Sequence, residues 1–142
     1  MFYRGCRPPA STRELDFMRT IATWILTVLV AAAFIYAGYS KLTSAPAMIQ
    51  LFRSFGYPSW SMFFTGALEI FGAAFLFVPR YAFAGAGLLA CIMLGALFSH
   101  LTHGQADKIG PPIVLLILTL VLGTLHNWGR PVRFEPSPFT KY

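Results

Sequence analysis

Four long apolar stretches, separated by short charged or turn-forming links, organise this chain. The first runs from Thr20 to Ser40, between Arg19 and Lys41. The second, Ser54 to Pro79, carries a single charge, Glu69. The third, Tyr81 to Ala106, holds histidines but no formal charge, and the fourth, Ile109 to Gly129, lies between Lys108 and Arg130. A helix of about 20 apolar residues crosses the hydrocarbon core of a bilayer, and lipid-exposed irregular backbone is not viable there. The short period-two segments of a membrane barrel are missing. The pattern predicts an all-α fold, an integral membrane four-helix bundle with spans at about residues 20–41, 59–79, 81–103 and 109–128. Between the first two spans, Met48, Leu51, Phe52 and Phe55 recur at helical spacing. They predict a short interfacial helix, stopped by Gly56 and Pro58.

Residues 20–128 thus read as one membrane domain. Residues 1–19 read as a polar N-terminal tail with a short lead-in helix. Residues 129–142, with Pro131, Pro136 and Pro138, read as an extended Pro-rich tail. Composition sharpens this picture. The chain is 56% hydrophobic and 11% charged, with a mean hydropathy of +0.62. A soluble domain carries about a quarter charged residues, so a soluble fold is excluded.

The net charge of +6 reads as membrane topology rather than nucleic-acid binding. Arg4, Arg7, Arg13, Arg19, Arg80, Arg130, Arg133 and Lys141 fall on one side, and Lys41, Arg53 and Lys108 on the other. That bias predicts cytoplasmic N and C termini, in a plasma membrane of bacterial type. Basic residues before the first span and the small Ala31 and Ala33 resemble a signal peptide. The apolar run, however, continues through Phe34, Ile35 and Tyr36, too long for a signal core, so the first span reads as retained. Cys6 and Cys91 lie far apart in this layout and predict no disulfide; Cys91 reads as a small packing residue.

Glu69 is the chemical oddity. Wound at 100° per residue, Met62, Thr65, Gly66, Glu69, Gly72 and Ala73 share one third of the helix circumference. Phe64, Leu68, Phe71, Phe75 and Val78 lie opposite. Small residues admit a neighbouring helix, so Glu69 is predicted to face the bundle interior. A charged residue at midspan costs about 2.5–3.5 kcal/mol on insertion, and nine large apolar residues from Phe63 to Val78 return roughly 0.3–0.6 kcal/mol each. The span is viable with little margin. Lys41 ends the first span and His100 lies near the end of the third, both on faces rich in small residues. Lys41, Glu69 and His100 therefore form a candidate intramembrane polar cluster, with Tyr36 as a further partner for Glu69. Such a cluster serves either as a structural clasp between helices or as a proton or ligand site.

The stretch "SHLTHGQAD" places His100, His103 and Asp107 at metal-ligand spacing on a continuous helix. Gly104 is expected to break that helix before Asp107, so no metal site is predicted. His103 and Asp107 remain weaker candidates. His126 reads as an interfacial anchor. Serine-nucleophile motifs, phosphate loops and paired carboxylates for hydrolysis are missing.

The segments "FIYAGYSKL", "GALEIFGAAFLFV" and "LLACIMLGALFSHL", in this order, resemble the DoxX family of small four-helix membrane proteins over roughly Thr20 to Trp128. That family is named from a membrane subunit linked to thiosulfate:quinone oxidoreduction. Its other members include membrane partners of redox or stress-response proteins. On this chain, Lys41, Glu69 and His100 match the family's polar positions. The resemblance implies a non-enzymatic membrane subunit or partner of a redox, quinone-linked complex, with quinone as the one cofactor to consider. A redox partner protein, a homo-oligomer and membrane lipid are the implied contacts. Two alternatives stand beside it: an oxidoreductase subunit in which Glu69 handles protons during quinone chemistry, and a carrier of a small lipophilic or protonatable molecule.

Overall fold

The computed structural model describes residues 10–128, with side chains at residues 14–15 and 17–126. Among the described residues it is all helical. Helix α1 spans Ala10–Leu42, α2 Pro46–Ser54, α3 Ser59–Leu76, α4 Ala82–Thr102 and α5 Gly110–Trp128, with a 3₁₀ turn at Ala106–Lys108 before α5. The long helices alternate in direction. The C-terminal ends of α1 and α4 and the N-terminal ends of α3 and α5 therefore meet at one end of the bundle, where α2 also lies.

Among the described residues, three stretches are long and apolar enough to cross a membrane: Phe17–Leu42, Ser59–Leu76 and Ala82–Thr102. Gly110–His126 is a shorter apolar helix. The outer surface is apolar, with Ile25, Leu29, Phe64, Phe71, Phe98 and Ile117 all exposed. In water such a surface would aggregate; in lipid it is solvated. The fold is therefore a helical membrane bundle.

The predicted lead-in segment is not separate. Helix α1 is continuous from Ala10, because nothing between Ala10 and Arg19 breaks it: that stretch has no proline or glycine. Helix ends elsewhere follow backbone chemistry. Pro46 starts α2, and Pro111 and Pro112 lie in the first turn of α5, where a missing N–H costs nothing. At the far ends of α1, α2 and α4 the chain makes the same closure. The Ala45 N–H bonds the Ser40 carbonyl, Tyr57 bonds Phe52, and Gln105 bonds His100, at 3.0, 3.1 and 2.9 Å. Each closure needs a left-handed residue. Gly56 and Gly104 supply two, but Ser44 supplies the third at φ 55°.

Packing runs around the bundle: α1 against α3, α3 against α4, α4 against α5, with a lighter α1–α5 contact. Val30, Ala31, Phe34, Ala73, Leu76, Leu89, Met93 and Leu122 form the core. On α3 the division by face follows the helical wheel. Met62, Gly66, Glu69, Gly72 and Ala73 are buried, while Phe64, Phe71 and Phe75, and Val78 just beyond the helix, are exposed. Leu68, expected on the outward face, is instead half-buried and lines a cleft between the helices. Cys91 departs from its expected role: it is exposed on the outward face of α4 and packs no core. Cys6, both tail regions (1–9 and 129–142) and their basic residues lie outside the described residues.

Candidate functional site

The site begins with a close helix crossing. A Cβ built on Gly38 of α1 would lie 2.7 Å from the Gly66 carbonyl oxygen of α3. One built on Gly66 would lie 2.9 Å from the Gly38 carbonyl oxygen and 2.9 Å from Lys41 Cβ. Only glycine at both positions lets the two backbones touch. At the α3–α4 crossing a Cβ on Gly85 would lie 2.8 Å from the Gly72 carbonyl oxygen, whereas one on Gly72 would meet the Leu89 side chain at 2.7 Å.

One turn from the Gly38–Gly66 contact, Lys41 Nζ reaches Glu69 Oε2 at 2.7 Å and Oε1 at 2.9 Å. Glu69 is 1% exposed and Lys41 12%. Lysine near a helix end normally extends outward to the interface. Here the side chain runs back along its own helix, the direction in which Cα–Cβ bonds tilt, and Nζ comes within 3.5 Å of the Ala37 carbonyl. The charge on α3 is thus neutralised inside the bundle by a two-oxygen contact. Breaking such a buried pair costs far more than its formation contributes. Glu69 makes its hydrogen bonds to Lys41 alone among the described residues.

His100 is buried on α4, 7% exposed, and its ring stands edge-on to Phe55 at 5.1 Å. Its Nδ1 has no hydrogen-bond partner among the described residues. His103 takes a different course. Its Nδ1–H donates to the Ser99 carbonyl at 2.8 Å, and its ring also packs on Phe55. Asp107 is exposed in the 3₁₀ turn, beyond the helix end that Gly104 makes, so the three residues of the histidine motif do not converge. No group of three or more potential metal ligands occurs among the described residues. Tyr36 is 75% exposed and makes no bond to Glu69. His126 donates from Nδ1 to the Leu122 carbonyl at 3.1 Å.

These residues border a cleft of about 550 Å³ at the α2 end of the bundle. Lys41, Glu69 and His100 line it, with Tyr36 and Tyr57. Leu68, Ile92, Met93, Leu115 and Phe64 supply apolar wall, and α2 contributes Met48, Leu51, Phe52 and Phe55. Its volume and largely apolar lining with few polar groups are those of small-molecule sites. Side-chain bonds tie α2 and its flanks to α4 and the link that follows it. Ser99 Oγ donates to the Gly95 carbonyl at 2.9 Å, so the Tyr57 hydroxyl donates to Ser99 Oγ, also at 2.9 Å. Gln105 Nε2 donates to Ser54 Oγ at 2.9 Å. Sequence reasoning placed Lys41, Glu69 and His100 on inward faces but missed the Gly38–Gly66 contact and the Tyr57–Ser99 link. The pairing of two small-residue faces was the available signal for the first; the second joins residues 42 positions apart and left none.

A family model described as the DoxX-like family matches residues 25–122, the part that holds the crossing, the pair and the cleft. The uncharacterised protein YdgD of Bacillus subtilis (strain 168) is 33% identical over 89 residues, which cover 60% of this chain and 78% of YdgD. No solved structure matches the chain.

Proposed function

We propose, from the premise that this chain belongs to the DoxX-like family and is an integral membrane protein, that it is a non-enzymatic membrane subunit or partner of a quinone-linked redox complex. Four spans, an interfacial α2 and cytoplasmic termini complete the reading. The observation that carries it is the cleft. A membrane bundle this small keeps about 550 Å³ of largely apolar space beside a buried ion pair, where a bundle serving only as an anchor would close it with side chains. Glu69 serves in this reading as a clasp. Both of its oxygens are held by Lys41, which leaves it poorly placed to exchange protons with a substrate. The proton-handling alternative is correspondingly disfavoured.

Membrane vesicles from cells with and without the chain provide the test, with quinone-dependent electron transfer measured for each available dehydrogenase substrate. Removal of the chain is expected to lower at least one such activity. Glu69→Gln is expected to lower protein abundance, with the remaining activity scaling to the amount of protein. Unchanged activities on removal would refute the redox partnership. Abolished transfer in Glu69→Gln at full abundance would instead establish the proton-handling role. A C-terminal reporter fusion that registers on the extracytoplasmic side would overturn the orientation.

A further inference from the structure

The polar groups of the cleft are unequally occupied. The hydroxyls of Ser40, Ser61, Thr65 and Ser99 each donate to a carbonyl of their own helix or its first turn, at Tyr36, Pro58, Ser61 and Gly95 respectively. Their protons are spent, and they can only accept. Lys41 and Glu69 neutralise one another. His100 differs: it is 7% exposed, lines the cleft, and keeps Nδ1 without a partner among the described residues. Buried polar atoms in folded proteins nearly always have partners, and exceptions commonly mark a binding or functional role.

Charge narrows the class of partner. The formal charges on the lining are Lys41 and Glu69, already paired through both carboxylate oxygens. A carboxylate, phosphate or ammonium head would enter a largely apolar space with no free counter-charge, and its desolvation would go uncompensated. A neutral hydrogen-bonding head meets no such obstacle. The wall formed by Leu68, Met93 and Leu115 suits a hydrocarbon tail.

We infer that the cleft binds a neutral, single-headed lipophile, with a carbonyl-type head hydrogen-bonded to the His100 imidazole and an apolar body against Leu68, Met93 and Leu115. Nδ1 is shielded from the cleft in this structure, so the imidazole turns to present a ring N–H to that carbonyl. This site deepens the proposed function and rests on its membrane placement; a quinone is one member of the ligand class, but the site does not require one.

The test uses the purified full chain in lipid nanodiscs and three photoreactive probes that share a diazirine-bearing dodecyl chain. Their heads are a methyl ketone, a carboxylate and a trimethylammonium. The ketone probe is expected to label saturably, in peptides that contain Leu68, Met93 or Leu115. His100→Phe, which keeps a ring against Phe55, is expected to raise the half-saturating concentration at least about tenfold. Leu68→Trp, which fills the cleft from a position outside the ion pair, is expected to abolish saturable labelling while the thermal midpoint is retained. Labelling that never saturates, or that falls only on outward residues such as Phe71 and Phe98, would mean ordinary lipid contact and overturn the inference. Equally tight cleft labelling by either charged probe would do the same, as would undiminished labelling of both folded variants. Because binding is read on the isolated protein, its failure leaves the redox partnership standing, and unchanged dehydrogenase activities in vesicles leave the binding site standing.

Discussion

Gly66→Ala tests the frame on which the ion pair depends. The added methyl would lie 2.9 Å from both the Gly38 carbonyl oxygen and Lys41 Cβ. Carbon–carbon contacts are comfortable at about 3.5–4.0 Å, so α1 and α3 must part by roughly half an ångström or more. Overpacking of this kind costs about 1–3 kcal/mol. Alanine returns about 0.8–1 kcal/mol of helix propensity, so the net loss is up to about 2 kcal/mol. The clash itself is read as the roughly 1–3 kcal/mol by which Gly66→Ala falls below an alanine placed in open space. The movement also draws Lys41 from Glu69, whose contacts are 2.7 and 2.9 Å. Gly38→Ala meets the same contact from the other side, at 2.7 Å from the Gly66 carbonyl oxygen. The double variant should therefore lose less than the sum of the singles, since one separation relieves both clashes. Gly87→Ala is the control. Its Cβ would meet nothing within 4 Å, and propensity alone predicts no loss. Unfolding in mixed micelles with increasing SDS measures each stability. A Gly66→Ala protein as stable as the Gly87→Ala protein would refute the close-crossing argument.

Three further outcomes follow from the same geometry. Lys41→Met leaves a carboxylate that is 1% exposed without its partner and should cost about 3–5 kcal/mol, whereas Lys41→Met with Glu69→Leu should recover most of that loss; a double variant no better than the single would contradict the clasp. Tyr57→Phe removes the bond to Ser99 at the end of α2, so amide hydrogen exchange in Pro46–Ser54 should quicken by the equivalent of about 1 kcal/mol, while exchange in the middle of α4 stays unchanged; equal acceleration in both would show that the link does not act locally. Ser44→Gly relieves a left-handed residue at φ 55° and should raise the SDS midpoint by the equivalent of about 0.5–1 kcal/mol, and a lowered midpoint would mean that the serine side chain is needed there.

Much of the architecture was legible from hydropathy alone, since lipid imposes helical backbone and sets its length. The apolar runs placed α3, α4 and α5 to within a few residues, and the helical wheel turned Glu69 inward onto the small-residue face of α3. Gly56 and Gly104 announced two helix ends, because a left-handed residue is cheapest as glycine. Ser44 performs the same closure unannounced, because the backbone bonds at the end of α1, Ser44 N–H to Lys41 and Ala45 N–H to Ser40, hold a serine where local preference would not.

Partner choice among the inward groups belonged to the tertiary structure. Lys41, His100 and Tyr36 were all within plausible reach of Glu69 by depth, but depth says nothing of rotation or of how closely two axes approach. The Gly38–Gly66 contact settles both, bringing Lys41 onto both oxygens of Glu69 while His100 stands apart against Phe55. The cleft is likewise a property of no single segment: five helices leave it between them, and its apolar wall is indistinguishable in sequence from residues that pack a core. What the sequence by itself determined was which residues must leave lipid, because transfer free energy is local to each side chain. Which of those residues meet, and what space they leave, was decided only by packing, because small residues on several helices must coincide before two backbones can touch.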